Sequence, residues 1–134
     1  MIKRINDKIN QIIVFISEFK TIIPNTLEDY KNNIEKKAAC ERYIEKIVEA
    51  STDLAFLIIK TKKFRIPEDD ADAFNILVEN NVISISLASK LKSAKGMRNI
   101  LVHQYGKIDD DIIFESIKTE LIKDIKNFIG EVKK

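Results

Sequence analysis

The chain has 134 residues, of which 45% are hydrophobic and 33% are charged, and its formal net charge is +2. This balance excludes a disordered chain, and three Gly with two Pro are too few turn residues for a β-sandwich or barrel. One Cys and one His exclude an internal disulfide and any site that takes two His from one chain. We expect one all-α domain over residues 1–134, with no metal and no cofactor.

Two long helices are predicted in the N-terminal half of the chain. Apolar residues recur at steps of three and four between Ile2 and Phe19, and Pro24 ends the segment that follows. The second helix lies within residues 27–63, a stretch without Gly or Pro, and its apolar stripe covers residues 44–58. Both patterns have the period of an amphipathic helix that buries one face.

The second helix has another face, which lies away from its apolar stripe and mixes charges with one aromatic ring. Two interpretations stay open: a solvated surface with one exposed Phe, or a polar dimer surface or site wall. The residues of this mixed face are Arg42, Glu45, Glu49, Thr52, Asp53 and Phe56.

Three further helices follow. Pro67 and the acidic residues behind it are typical of a helix start, and this short helix is predicted to end near Glu79. Ser84 or Ser86 caps the next helix, and three aspartates at positions 109–111 open the last one at the positive end of its dipole. The predicted fold is an antiparallel bundle of four long helices and one short helix.

The N-terminal segment does not have the plan of a signal peptide. Charged residues recur through MIKRINDKINQIIVF, and no small-residue cleavage site follows. The longest apolar stretch, around residues 54–59, is far shorter than the ~20 residues that a membrane-spanning helix needs. We therefore expect a soluble cytoplasmic protein with no membrane partner.

Residues 80–108 contain no acidic side chain, although acids and bases are balanced in the rest of the chain. A local excess of cations suits the phosphate backbone of a nucleic acid. A solvated Lys-rich helix is the alternative, and charge alone favours it. The lysines of this predicted backbone patch are Lys90, Lys92, Lys95 and Lys107.

Four polar side chains with different chemistries lie near the end of the fourth predicted helix. Arg98 has a planar cationic fork that matches phosphate, and His103 exchanges a proton near neutral pH. Asn99 and His103 share one helix face, and Arg98 and Tyr105 share another. Arg98 and His103 are about 140° apart around an ideal helix. They converge if the Arg side chain curls round, if the helix distorts, or if two copies meet across a two-fold axis. A capping role for the lone His is the structural alternative.

The pattern Arg98-Asn99-x-x-x-His103-x-Tyr105 resembles the motif of HEPN-domain proteins, and specifically that of the HepT toxin family. The run Arg42-Tyr43-Ile44-Glu45 through Glu49 and Asp53 resembles the second helix of that family, and Gly106-Lys107-Ile108-Asp109 resembles its continuation after the Tyr. The resemblance covers roughly residues 35–134.

The resemblance implies a HEPN-like helical bundle that forms a homodimer and acts as the toxin of a type VII toxin–antitoxin pair. It implies a metal-independent RNA endonuclease, with tRNA or mRNA as substrate, in which Arg98 and His103 are catalytic and Asn99 is supporting. It also implies a partner like MntA, a minimal nucleotidyltransferase that transfers AMP onto Tyr105 and silences the toxin. Glu49 and Asp53 become candidates for the wall of the cleft.

A second function of a different class stays open. The same fold could dock a nucleotidyltransferase without catalysis of its own, as a regulatory or nucleotide-binding subunit. Only an assay separates the two functions. RNA cleavage is chemically feasible here, because a 2′-hydroxyl can attack the adjacent phosphorus without a metal if a base, an acid and a cation are present. One chain supplies one His, whereas a two-fold dimer supplies two His and two Arg.

Overall fold

The computed structural model describes residues 2–134, with the exception of the Tyr105 side chain. The described backbone is helical and contains no strand. The elements are α1 (Ile2–Ile22), α2 (Leu27–Asn32), α3 (Ile34–Lys62), α4 (Asp70–Glu79), α5 (Ile85–His103), a 3-10 turn (Tyr105–Lys107), α6 (Asp110–Ser116), the π segment (Ile117–Leu121) and α7 (Ile122–Val132). The last three elements, an α-helix, a π-helical segment and a second α-helix, follow each other without a break, and we call them the α6–α7 rod. The predicted all-α fold class is confirmed.

The side chains predicted to start helices do so. Ser84 Oγ accepts from the backbone N–H of Leu87 at 3.1 Å, and Asp109 caps α6 in the same way. Asp69 caps α4, two residues after Pro67. Each cap satisfies a backbone donor that the first helical turn leaves without a partner.

The structure adds a second short helix that the sequence pattern did not separate. Asn33 has extended dihedral angles (φ −105°, ψ 95°) and ends α2, while its side chain accepts from the N–H of Lys36 at 3.0 Å and starts α3. The break therefore comes from local capping by an Asn side chain, which no Gly or Pro marks in the sequence.

The core forms around α3, which contacts α1, α2, α4 and α5. Ile44, Ile47 and Leu54 of the predicted stripe are fully buried there. The structure corrects one member of the mixed face: Thr52 is buried, and its hydroxyl donates to the carbonyl of Val48 at 3.0 Å. Glu49, Asp53 and Phe56 stay exposed.

An arginine anchors α4 at both of its ends. Arg65 Nη1 and Nη2 donate to the two carboxylate oxygens of Asp72 at 2.7 and 2.9 Å, and Nη2 and Nε donate to Glu79 at 2.8 and 3.1 Å. The hydrogen bonds from Arg65, and then the one from the N–H of Glu68, hold the pKa of Asp72 well below its usual range. The loop that precedes α4 is thereby tied to the helix.

Asp72→Asn is expected to lower the melting temperature at pH 7, because the folded protein holds this carboxylate ionised more strongly than the unfolded chain does. A carboxylate whose pKa is lower in the folded protein than in the unfolded chain stabilises the fold at pH values above its unfolded pKa of ~3.9. That stabilisation is lost as the pH falls through the folded pKa. The difference from the wild type should therefore shrink between about pH 5 and pH 2 in thermal melts. Asp7→Asn, which breaks only the exposed Lys3–Asp7 pair, should change little at either pH. A melting difference that does not vary with pH would contradict this assignment.

Within the described residues, no helix is both long and apolar enough to cross a lipid bilayer.

Candidate RNA-cleavage site

The candidate residues lie on the last two turns of α5. This helix packs against α3, α4 and α7, and Leu91 and Leu101 bury its apolar side. It extends through His103, and the N–H of Gln104, the C-cap residue, still donates to the carbonyl of Ile100 at 3.0 Å. The α-helical register therefore holds from Arg98 to His103 and ends before Tyr105.

Arg98 reaches across from α5 to α3. Its Nη2 donates to Glu49 Oε2 at 2.8 Å, and its Nη1 donates to Asn99 Oδ1 at 3.3 Å. The Arg98 side chain is 17% exposed, whereas that of Glu49 is 58% exposed, so the ion pair lies at the surface with the guanidinium on its inner side. The Nε of Arg98 is buried and has no hydrogen-bond partner among the described residues. Glu49 and Asn99 thus orient a guanidinium that keeps further N–H donors for a phosphate.

His103 occupies the last residue of α5 and is exposed. Its side chain forms no hydrogen bond with another residue that the structure describes. Because the helix is regular up to this residue, Arg98 and His103 lie on different faces, about 140° apart. Asn99 and His103 share a face, as the four-residue spacing predicts.

Tyr105 lies beyond the end of α5, so the seven-residue register that was expected to place it on the face of Arg98 does not reach it. Its side chain, and with it the predicted site of modification, lies outside the described residues.

Two lysines of the predicted backbone patch face α4. Lys92 Nζ donates to Asn75 Oδ1, and Lys95 Nζ lies 2.9 Å from a carboxylate oxygen of Asp70. Only 13% of the Lys95 side chain is exposed. The fold therefore engages these two lysines with polar groups of another helix.

The other two lysines of the patch, Lys90 and Lys107, line a groove between α5 and the α6–α7 rod. Carboxylates from that rod and from the loop before it line the same groove. These carboxylates belong to Asp109, Asp111, Glu115, Glu120 and Asp124.

Asp53 lies one helical turn beyond Glu49 on α3 and does not contact Arg98. Its carboxylate is 3.5 Å from Nζ of Lys8 on α1. It lines a groove with Phe56, which we call the Phe56 groove. Of the two predicted wall residues, the structure places Glu49 at the Arg98 site and Asp53 at this neighbouring groove.

Sequence reasoning did not single out the cations around the Phe56 groove. They come from the first turns of α1 and from the C-terminal end of α3, which are far apart along the chain. The signal in the sequence is the cluster of Lys and Arg at residues 60–65. The groove is lined by Arg4, Lys8, Lys60 and Lys63, with Phe64 and Ile66.

The family profile described as "Ribonuclease HepT-like" matches residues 12–132. The chain belongs to this family. The resemblance to HepT toxins drawn from the motif around Arg98, His103 and Tyr105 is thereby confirmed.

Relatives of this HepT-like chain carry names of RNA-cleaving enzymes. The mRNA nuclease HepT of Shewanella oneidensis is 33% identical over 90 residues, which cover 67% of each chain. The tRNA nuclease HepT of Aphanizomenon flos-aquae is 27% identical over 113 residues, which cover 84% of this chain and 75% of the relative.

The fold of the HepT-like chain also matches a solved toxin. The tri-AMPylated HEPN toxin of Shewanella oneidensis, in complex with MNT antitoxin, superposes with a TM-score of 0.89. The two sequences are 27% identical, and the match covers 96% of each chain.

Proposed function

We propose that the chain is the toxin of a type VII toxin–antitoxin pair and a metal-independent RNA endonuclease that acts in the cytoplasm. The observation that carries this proposal is the oriented Arg98 guanidinium and the exposed His103 on the last two turns of α5, in a chain of the Ribonuclease HepT-like family. The nuclease names of two relatives and the toxin–antitoxin complex of a third support it.

The proposed chemistry is attack by a ribose 2′-hydroxyl on the adjacent phosphorus. His103 takes the proton of the attacking hydroxyl or supplies one to the leaving oxygen, since imidazole titrates near neutral pH. Arg98 binds the phosphate and stabilises the charge that builds on its oxygens. Asn99 and Glu49 position Arg98 through the contacts that they make with it.

The active site forms between two protomers in this proposal. Within one chain, Arg98 and His103 lie on different faces of α5, and the chain has only one His to serve as both base and acid. A two-fold axis near the end of α5 brings two His and two Arg to one cleft. Ile100 and Val102, which are 37% and 38% exposed beside the motif, are the apolar contacts that we assign to this interface.

AMP transfer to Tyr105 by an MntA-like nucleotidyltransferase would silence the cleft. Tyr105 follows His103 by two residues, next to the proposed position of the RNA phosphate. An AMP group there adds bulk and negative charge, so steric exclusion and repulsion both oppose binding of RNA.

Incubation of the wild-type protein with tRNA and mRNA is the direct test of the nuclease proposal. We expect cleavage that persists in excess EDTA, because the proposed steps use only side chains of the protein. Products with 2′,3′-cyclic phosphate ends would identify the attacking group. Cleavage that stops on chelation would overturn the metal-independent mechanism. RNA that stays intact, while the protein still binds its nucleotidyltransferase, would favour the non-catalytic alternative.

The shared cleft requires a dimer in solution. Light scattering should report about twice the monomer mass of 15.4 kDa at micromolar concentration. Val102→Glu should shift the protein to the monomer and remove cleavage, since it buries a charge in the proposed interface. Ile85→Glu, at the exposed and opposite end of α5, should leave both the mass and the activity unchanged. A wild-type monomer that cuts RNA would exclude the two-fold site.

A further inference from the structure

The Phe56 groove gathers cations that have no carboxylate to neutralise them. Lys95 and Arg98, which reach from α5 to neighbouring helices, each end on a carboxylate. In contrast, Arg4, Lys60 and Lys63 form no ion pair with any described carboxylate. Asp53 is the one acid among the residues that line the groove, and Lys8 already pairs with it.

An aromatic ring lies among these charges. Phe56 is 37% exposed, and together with Phe64 and the exposed Ile66 it forms the apolar part of a groove of about 530 Å³. Cations that bind a phosphate backbone beside an aromatic face on which bases stack are the features of surfaces that hold single-stranded nucleic acid. An acidic protein segment would use the cations but has no need of an exposed ring.

The groove and Glu49, the partner of Arg98, lie on the same face of α3. Glu49, Asp53, Phe56 and Lys60 follow each other at steps of three and four residues, so they lie on one side of the helix. Glu49 contacts Arg98, and Lys60 lies about 16 Å further along the helix axis. A strand bound at Arg98 can therefore continue along α3 into the groove.

We propose that the Phe56 groove binds the single-stranded RNA that flanks the cleavage site. Arg4, Lys60 and Lys63 contact backbone phosphates, and the ring of Phe56 stacks on a base. The proposal rests on the proposed nuclease function and assigns the backbone contacts to these cations instead of the lysines on α5. Because stacking and phosphate contacts do not read base edges, the groove adds affinity without selecting a sequence.

The binding test uses a fluorescein-labelled oligouridine and full-length protein carrying His103→Ala, so that the RNA stays intact. The triple variant Arg4→Gln, Lys60→Gln and Lys63→Gln removes three charges without adding bulk. We expect the Kd to rise at least tenfold. The slope of log K against log salt concentration should become shallower by about 2, because each of the three lost phosphate contacts contributes about 0.7 to it. The matched control Lys20→Gln, Lys123→Gln and Lys126→Gln removes three exposed charges outside the groove and should retain the wild-type slope.

The aromatic contact has its own test. Phe56→Leu keeps an apolar side chain but removes the stacking surface, and it should weaken oligouridine binding about fivefold or more. Phe56→Tyr keeps the ring and should restore binding. Photo-crosslinking with 4-thiouridine RNA should yield adducts on the peptide that contains residues 56–64.

In the cleaving protein, the groove variants should raise KM and leave kcat near the wild-type value, because the groove binds RNA equally before and during the reaction. If the wild type cuts RNA but the triple variant matches its control in KM and salt slope, the groove assignment is wrong and the nuclease proposal stands. If the wild type neither binds nor cuts RNA, the groove assignment and the nuclease proposal are both wrong. A triple variant that loses dimerisation or antitoxin binding, with RNA affinity unchanged, would assign the groove to a protein contact.

Discussion

His103→Ala should abolish RNA cleavage and leave the fold intact. His103 is exposed at the last residue of α5 and its side chain makes no hydrogen bond with another described residue, so removal of the imidazole leaves no described buried group unpaired. Removal of a general acid or base costs about 10²- to 10⁴-fold in rate, and the proposed dimer loses both groups at once. Gel-based cleavage of tRNA and mRNA, with circular dichroism to check helicity, is the measurement.

The neighbouring residue supplies the control for this experiment. Gln104→Ala alters an equally exposed side chain at the C-cap position and should retain activity and melting temperature. Full cleavage by the His103→Ala protein would show that the imidazole of His103 takes no part in the reaction.

Replacement of Arg98 should also abolish RNA cleavage, and the conservative change Arg98→Lys tests whether positive charge alone is sufficient. Arg98→Ala and Arg98→Lys should both be inactive, because an ammonium cannot contact Glu49, Asn99 and a phosphate with one rigid fork. Since Glu49 is largely exposed, its carboxylate stays hydrated when Arg98 is replaced, and the stability should change little. An active Arg98→Lys protein would indicate that charge alone is sufficient at this position.

Tyr105→Phe should make the toxin insensitive to its partner. The change removes only the hydroxyl oxygen to which AMP would be attached, so the fold should be unaffected. Co-expression of the wild type with an MntA-like nucleotidyltransferase should add the mass of one or more AMP groups, with the adduct located on Tyr105 by peptide mass spectrometry. The Tyr105→Phe protein should gain no such mass and should remain toxic in the presence of the partner.

The other two tyrosines of the chain serve as controls. Tyr43 donates its hydroxyl to Glu18 at 3.1 Å and stacks on Phe19, and Tyr30 is buried against Phe114. Tyr43→Phe should therefore leave the AMP adduct on Tyr105 unchanged. An adduct on Tyr30 or Tyr43, or none with an active partner, would show that modification of Tyr105 does not extend to this chain.

Local patterns in the sequence were sufficient for the fold class and for most helix starts. The apolar stripes of α1 and α3 and the caps at Asp69, Ser84 and Asp109 act over one or two helical turns, so they can be read from neighbouring residues. The break at Asn33 was missed because it depends on how one side chain competes with the backbone.

The motif itself was also visible in the sequence. Arg98, Asn99 and His103 are close along one helix, and their spacing with Tyr105 led to the HepT-like family, which the family profile confirms. Their roles as catalytic, supporting and modified residues remain predictions for the variants above to test.

Contacts between distant segments were decided only by the tertiary structure. An acid-free run at residues 80–108 predicted a basic surface, yet the fold brings Asp70 to Lys95 and the carboxylates of the α6–α7 rod to Lys90 and Lys107. It also pairs Arg98 with Glu49, which is 49 positions away, and places Arg4 beside Lys60 and Lys63. Charge along the sequence does not determine the charge of a surface, because helix packing chooses which distant side chains share it.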